Sequence, residues 1–221
     1  MATPHVFGQI GPNAVWRLAE ALDAADLAAA KRRIFADAGL AHYLTAMPQA
    51  MVPETEVIAL HNAMRATLGI APARRIGFDA GVRTGDYLLA RRIPPLAQAA
   101  LRALPRRWAS AALLRAIGKN GWTFCGTGQF SARAGTPVRI ELRNCPICRD
   151  TAADQPVCDY YAGAFERLFR ALIDPAAEVR EISCHATGAE ACVFEIGASR
   201  PMQALTRHPA PDPAGPAPIR G

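Results

Sequence analysis

The sequence predicts an α+β fold, with N-terminal helices packed on an antiparallel sheet that carries one long C-terminal helix. Up to about residue 118, apolar residues recur at helical spacing. Residues 138–142 instead alternate apolar and charged side chains, as a half-buried strand does. A clean helical stripe over residues 161–172 then places one helix among the strands. Helices first and a sheet afterwards is an α+β arrangement.

Caps, prolines and glycines set the bounds of the predicted elements. In chain order, we expect helices starting at Asn13, which would cap the first, then over Asp26 to Phe35, from Pro53 to Leu68, Gly81 to Arg92, Leu96 to Leu104, Trp108 to Ile117 and Tyr161 to Leu172. Strands are expected over Val138 to Leu142, Val179 to Cys184 and Ala191 to Ile196, the last two joined by the turn Ala186-Thr187-Gly188.

The chain is predicted to form one ligand-binding domain over residues 1–199. Its helical part covers about 9–118, and its sheet and metal part about 119–197. Residues 200–221 contain six prolines, and this Pro-rich tail is predicted to be disordered.

Composition narrows the location and the partners. The net charge is +6, but only Lys31 and Lys119 are lysines and the arginines are scattered, so a nucleic-acid partner is not expected. No apolar run approaches the ~18 residues of a membrane span. The N-terminus lacks the pattern of an export signal, and six cysteines in such a chain favour metal or free thiols over disulfides. We therefore expect a cytoplasmic protein.

Four residues of the C-terminal part form the strongest candidate site. Cys158, Glu181, Cys184 and Cys192 offer three thiols and one carboxylate, which is the number of ligands of a closed structural zinc site. Glu181 and Cys184 have opposite parity on an ideal strand, so a β-bulge or an early turn must bring both to one metal. His185 is a rival ligand, but its adjacency to Cys184 favours a supporting role.

Cys145 and Cys148 form a separate CxxC sequence. It could be half of a second metal site, a redox pair, or a turn with two idle thiols, and these alternatives stay open. For Cys125 we expect a buried apolar environment. His42 and His61 lie in apolar helices, where satisfied histidines are more common than metal ligands.

Several sequence stretches together resemble the 4-vinyl reductase domain family. They are IGPNAVWRLAEAL, GVRTGDYLLARRIP, NGWTFCGTGQF, ELRNCPIC, CDYYAGAFERLF and EISCHATGAEACVFEI, and they span about residues 9–197. The resemblance implies a fold similar to transport-particle and nitric-oxide-sensing ligand-binding domains. It also implies one zinc on Cys158, Glu181, Cys184 and Cys192, and it assigns no general role to Cys145 and Cys148.

The implied ligand is a chlorophyllide or related porphyrin of bacteriochlorophyll biosynthesis. Its pocket is expected between the apolar helices and the aromatic stretch, with Arg83, Arg91 and Arg92 as candidates for its carboxylates. The predicted lining residues are Leu60, Met64, Tyr87, Leu88, Trp122, Phe124 and Phe130.

Vinyl reduction requires a source of hydride or electrons, and the sequence has no nicotinamide, flavin or iron–sulfur signature. We therefore expect a tetrapyrrole-binding accessory protein or substrate carrier for vinyl reduction. The alternative is a genuine divinyl chlorophyllide reductase with an unrecognised donor, and a third reading is an assembly factor. Contacts with other bacteriochlorophyll biosynthesis enzymes, a homodimer and a peripheral position at the photosynthetic membrane are left open.

Overall fold

The computed structural model describes residues 8–198. Its N-terminal part is helical, apart from a short antiparallel pair of strands, β1 (Gln9–Ile10) and β2 (Val52–Pro53). The helices of this part are α1 (Asn13–Ala24), α2 (Ala28–Asp37), α3 (Glu54–Leu68), α4 (Ile70–Arg91), α5 (Pro95–Ala103), α6 (Arg106–Lys119) and the single turn α7 (Trp122–Cys125).

A four-stranded antiparallel sheet forms the second part. Its strands are β3 (Gln129–Arg133), β4 (Val138–Arg143), β5 (Ala177–Ser183) and β6 (Ala191–Ala198), in the order β3-β4-β6-β5. Along β4, Val138, Ile140 and Leu142 are buried while Arg139 is exposed, which confirms the predicted alternation. The fourth strand, β3, lies within the aromatic and Gly-rich stretch to which no strand was assigned.

The long helix α8 (Asp159–Leu172) lies in the centre of the molecule. On one side it faces the sheet, where the Phe165 and Phe194 rings meet edge to face at 5.7 Å. On the other side it packs against α4, and the two backbones approach closely. A Cβ atom at Gly81 would collide with the carbonyl oxygen of Tyr160, and one at Gly163 with that of Phe78. Glycine is therefore required at both positions of this crossing.

Two helix starts differ from the expectation. Asn13 is the first helical residue of α1 rather than its N-cap, a position that Pro12 takes without a side-chain hydrogen bond. The helix expected from Gly81 begins already at Ile70, directly after Gly69, whose φ of 78° separates α3 from α4. The glycines at 77, 81 and 85 hid this early start, because they lower helix propensity while serving the contact with α8.

The described residues share one hydrophobic cluster that runs from Ile10 to Ile196. Among residues 8–198, none of the helices combines the length and the apolar character needed to cross a membrane. The division into a domain of residues 1–199 and a tail stays a prediction, and the tail 200–221 lies outside the described residues.

Candidate metal centre

The N-terminus of α8 and the strand β5 bring the first two predicted ligands together. Cys158 is the N-cap residue of α8, and its backbone N–H donates a 2.8 Å hydrogen bond to Glu181 Oε2. The other carboxylate oxygen, Oε1, is buried and has no hydrogen-bond partner among the described residues. Such an orphaned carboxylate oxygen beside three thiols is what a metal ligand looks like without its ion.

The β5–β6 hairpin supplies the other two ligands. The pairing register of the two strands shifts between Glu181 and Ser183, which is the irregularity that the parity of Glu181 and Cys184 requires. Cys184 then starts the turn at the end of β5, and Cys192 lies on β6 opposite Leu142. The bulge therefore turns both Glu181 and Cys184 toward one point.

The spacing of the three sulfur atoms fits a tetrahedral ion. The Sγ of Cys158 lies 3.8 Å from that of Cys184 and 3.6 Å from that of Cys192, and the Cys192–Cys184 distance is 3.9 Å. An ion with Zn–S bonds of about 2.3 Å holds its sulfur ligands about 3.8 Å apart. Together with Glu181, the set lies within 4.8 Å.

The electrostatics of this set also call for a cation. Burial, and after it the charge of Cys184, raises the pKa of Glu181 to about 9. Burial, and after it the neighbouring thiols, raises the pKa of Cys158 well above its usual range. Both anions are thus unfavourable on their own, and a bound divalent ion would offset that cost. The residues therefore fit the implied zinc.

Cys145 and Cys148 lie in the same cluster. They are in the loop that follows β4, and both are buried. The Sγ of Cys145 is 3.6 Å from that of Cys158, and the Sγ of Cys148 is 3.4 Å from that of Cys192. Cys145, Cys148, Cys158 and Cys192 form a second group of four ligand atoms within 4.8 Å of one another.

Helix α3 fixes the loop that carries this CxxC sequence. Arg65 Nη2 donates hydrogen bonds to the carbonyl oxygen of Ile147 at 2.8 Å and to Thr151 Oγ1 at 2.9 Å. Asn62 Nδ2 donates to the carbonyl oxygen of Arg149 at 3.2 Å. Arg65 is buried, which lowers the pKa of its guanidinium, whereas the nearby thiols act in the opposite direction. Sequence reasoning missed Arg65, because a lone arginine in an apolar helix gives no signal of the loop that it binds.

The remaining thiol and the histidines lie as single residues. Cys125 is buried outside both four-ligand groups, and burial raises its pKa to about 12. His61 is buried against the edge of Tyr160, and burial lowers its pKa to about 3. His42 is exposed beside Tyr43. His185 is exposed, and its backbone N–H donates to Cys192 Sγ at 3.4 Å, so it contacts the cluster through its main chain.

The seven predicted pocket residues are spread over several environments. Leu60 and Met64 are fully buried in the core, and Leu88 packs against it. Phe124 and Phe130 meet edge to face at 5.8 Å, while Trp122 is exposed. Tyr87 lines a surface cleft of about 360 Å³, together with Arg17, Glu20, Arg83, Asp86, Ala90 and Arg91.

A second polar cluster, also missed from the sequence, joins the start of α3 to the Gly-rich segment and the CxxC loop. Glu54 Oε1 accepts hydrogen bonds from Thr127 Oγ1 at 2.7 Å and Arg149 Nη1 at 2.9 Å. Its Oε2 accepts from the Thr127 backbone N–H at 2.8 Å. A Cβ at Gly126 would collide with this carboxylate. Burial alone would raise the pKa of Glu54, but the hydrogen bonds from Arg149 and Thr127 lower it.

Two relatives match this chain over most of its length. The bacteriochlorophyll synthase 23 kDa chain of Cereibacter sphaeroides is 42% identical over 193 residues, which cover 87% of this chain and 92% of the relative. The protein of the same name from Rhodobacter capsulatus is 37% identical over 188 residues, covering 85% and 86%. The profile of the 4-vinyl reductase domain matches residues 138–198, which contain all six ligands of the cluster.

Solved structures confirm the predicted α+β fold. An H-NOX protein mutant from K. algicida, in the Fe(II) unliganded state, superposes with a TM-score of 0.59 at 9% identity, covering 87% of this chain and 98% of that one. An H-NOX protein from S. oneidensis, in the Fe(II)NO state, gives 0.52 at 10% identity, covering 86% and 100%. At these identities the likeness concerns the fold. The sequence matches go further: the chain belongs to the family of the bacteriochlorophyll synthase 23 kDa chain, and it carries a 4-vinyl reductase domain.

Proposed function

We propose that this chain acts in bacteriochlorophyll biosynthesis by binding a chlorophyllide-type tetrapyrrole, as an accessory protein or substrate carrier for vinyl reduction. The observation that carries the proposal is the 42% identity, over 87% of the chain, to a protein named bacteriochlorophyll synthase 23 kDa chain. The protein would act in the cytoplasm, alone or as a homodimer. It would meet other enzymes of the pathway there or at the surface of the photosynthetic membrane.

The metal centre has a structural role in this proposal. Zinc on Cys158, Glu181, Cys184 and Cys192 would have four protein ligands and no open position for a substrate. Bound there, it would supply charge compensation and would join the start of α8 to the β5–β6 hairpin. The buried Glu181 Oε1 would then gain the partner that it lacks among the described residues.

The burial of the CxxC thiols favours a carrier over a reductase. Cys145 is 1% exposed and Cys148 0%. A pigment bound at the surface could not contact either sulfur atom without opening of the loop. The genuine reductase alternative would therefore need a donor other than these two thiols.

The cleft beside Tyr87 is the binding surface that we propose. Its volume of about 360 Å³ lies at the lower end of the range for small-molecule sites, so a flat chlorin would be held partly exposed. Arg17 lies over the Tyr87 ring at 5.1 Å, and Arg83 is paired with Asp79 at 2.8 Å. Arg91 has no ion pair among the described residues, so its guanidinium is available to a pigment carboxylate.

Titration of purified protein with chlorophyllide tests this proposal. We expect a shifted absorption band and altered fluorescence at micromolar protein, and at least about tenfold weaker binding for Arg91→Ala, the loss of one charge-assisted hydrogen bond. Arg133→Ala, on the distant strand β3, is the matched control and should bind normally. An unshifted spectrum at micromolar protein would refute the carrier function.

A turnover assay separates the carrier from the reductase. Divinyl chlorophyllide is offered with dithiol, nicotinamide and ferredoxin donors in turn. We expect no vinyl reduction by the purified chain with any of them. Product formation with any one donor would establish the reductase alternative instead.

A further inference from the structure

The CxxC thiols are placed as metal ligands although the zinc site described above does not use them. Each of them contacts one of the two cysteines that lie at the centre of the cluster. Cys145 faces Cys158 at 3.6 Å, and Cys148 faces Cys192 at 3.4 Å. We propose that Cys145 and Cys148 complete a second tetrathiolate site, so that the chain binds two Zn²⁺ ions bridged by the thiolates of Cys158 and Cys192.

The number of donor atoms fits a bridged pair. Two four-coordinate ions that share two bridging ligands need six donor atoms. The cluster provides five thiols and the carboxylate of Glu181, and it divides into two groups of four that share Cys158 and Cys192. The Sγ atoms of these two shared residues are 3.6 Å apart, close to the edge of about 3.8 Å that two zinc tetrahedra would have in common.

Charge compensation also favours two ions. With all six ligands ionised, the buried cluster carries six negative charges, of which one Zn²⁺ compensates two and a pair of ions four. Arg65 is buried beside the cluster, where its charge interacts with those of Cys158, Cys148, Cys145 and Cys184. It donates to the carbonyl oxygen of Ile147, between the two CxxC thiols, and thus adds one further positive charge. A bridged pair with Arg65 leaves a nearly neutral interior.

The geometry disfavours an iron–sulfur cube in the same place. A cube contains four iron atoms and four sulfides between its cysteine ligands, which therefore stand far apart. The four sulfur atoms of Cys145, Cys148, Cys158 and Cys192 all lie within 4.8 Å of one another, which suits a single ion at their centre. Soft thiolate ligands in a tetrahedral set are typical of zinc.

Metal stoichiometry of the reduced full-length protein is the first test. The protein is loaded with Zn²⁺, desalted and measured by native mass spectrometry. We expect two zinc ions per chain. One zinc per chain at saturation would refute the second site while leaving the first intact, and a chain without zinc would refute both.

Paired variants assign the ions to their sites. Cys145→Ser with Cys148→Ser should retain one zinc, and Cys184→Ser should also retain one. Cys125→Ser removes a buried thiol outside both groups and should retain two. If the double CxxC variant binds as many ions as the unsubstituted protein, the second site is refuted.

A spectroscopic readout keeps the test independent of variant folding. Loaded with ¹¹³Cd²⁺, the unsubstituted protein should give two cadmium NMR resonances, one for four sulfur ligands and one for three sulfurs and a carboxylate. Shared thiolates should couple the two resonances to each other. A single resonance at saturation, or two without mutual coupling, would refute the bridged pair.

Discussion

Glu54 and Glu181 both place carboxylate oxygens in the interior, but their surroundings differ. Glu54 is bonded through both oxygens by Thr127 and Arg149, and these bonds lower its pKa. Glu181 has one oxygen bonded by the Cys158 N–H and the other without a partner among the described residues, and its pKa is raised to about 9. The protein itself completes the first site, whereas an added ion would complete the second.

Metal removal should give the largest effect and should act on the Glu181 region alone. Structural zinc binds with about 10–16 kcal/mol in small domains, so a loss of at least about 5 kcal/mol of stability is a modest expectation here. For a domain of this size that lowers Tm by about 10–20 °C, as measured by calorimetry with a strong chelator. Glu54→Gln should show a decrease of similar size on chelation. An unchanged Tm after verified metal removal would contradict the structural role.

Breaking the Glu54 cluster should give the next largest effect. Glu54→Gln leaves Arg149 without its carboxylate partner, at a position where the Arg149 side chain is 19% exposed. We expect a loss of about 3 kcal/mol in the free energy of unfolding, measured with urea. The metal content should be unchanged, because Glu54 is not part of the metal cluster. Arg139→Gln, which breaks an exposed pair with Glu195, is the control and should cost less than about 1 kcal/mol.

The stability supplied by Glu54 should depend on pH in a defined direction. Its folded-state pKa is below the ordinary value of 4.5, so its contribution is complete above that pH. The contribution is lost as the pH falls below about 4.5 and through the lowered folded pKa. The difference in unfolding free energy between the unsubstituted protein and Glu54→Gln should therefore be constant at pH 6–8 and shrink under acid. A difference that grows under acid would contradict the ion pair.

The smallest effect on the fold is expected for Glu181→Gln in the metal-free protein. The amide oxygen can still accept from the Cys158 N–H, and Oε1 has no hydrogen bond to lose. We expect a change below about 1 kcal/mol without metal, but at least about tenfold weaker zinc binding in a competition assay. Equal zinc affinity in both proteins would show that Glu181 is not a ligand.

Sequence patterns predicted the parts of this protein whose physics is local. The alternation of β4 and the apolar stripe of α8 are confirmed, because each reflects the burial of one face. The cysteines and Glu181 could be grouped because few residue types bind zinc, and the parity of Glu181 and Cys184 predicted the bulge that the strand pairing contains. Ligand chemistry and period were therefore sufficient for this region.

Contacts between distant segments could not be read in the same way. Glu54, Thr127 and Arg149 are 73 and 95 positions apart along the chain, and nothing local marks a glutamate after a proline as buried. The pocket prediction depended on how helices face the aromatic segment, which residue spacing does not determine. Leu60 and Met64 were expected at a ligand, but their side chains are used by the core.

The glycine crossing of α4 and α8 has a mechanical consequence. Where two backbones touch at Gly81 and Gly163, no side chain lies between them that could change rotamer and absorb a displacement. The two helices must move as one stiff body, and α8 carries Cys158 at its first turn. A push on α4 from its solvent side would therefore reach the thiol cluster as a shift of position, without damping by the intervening core.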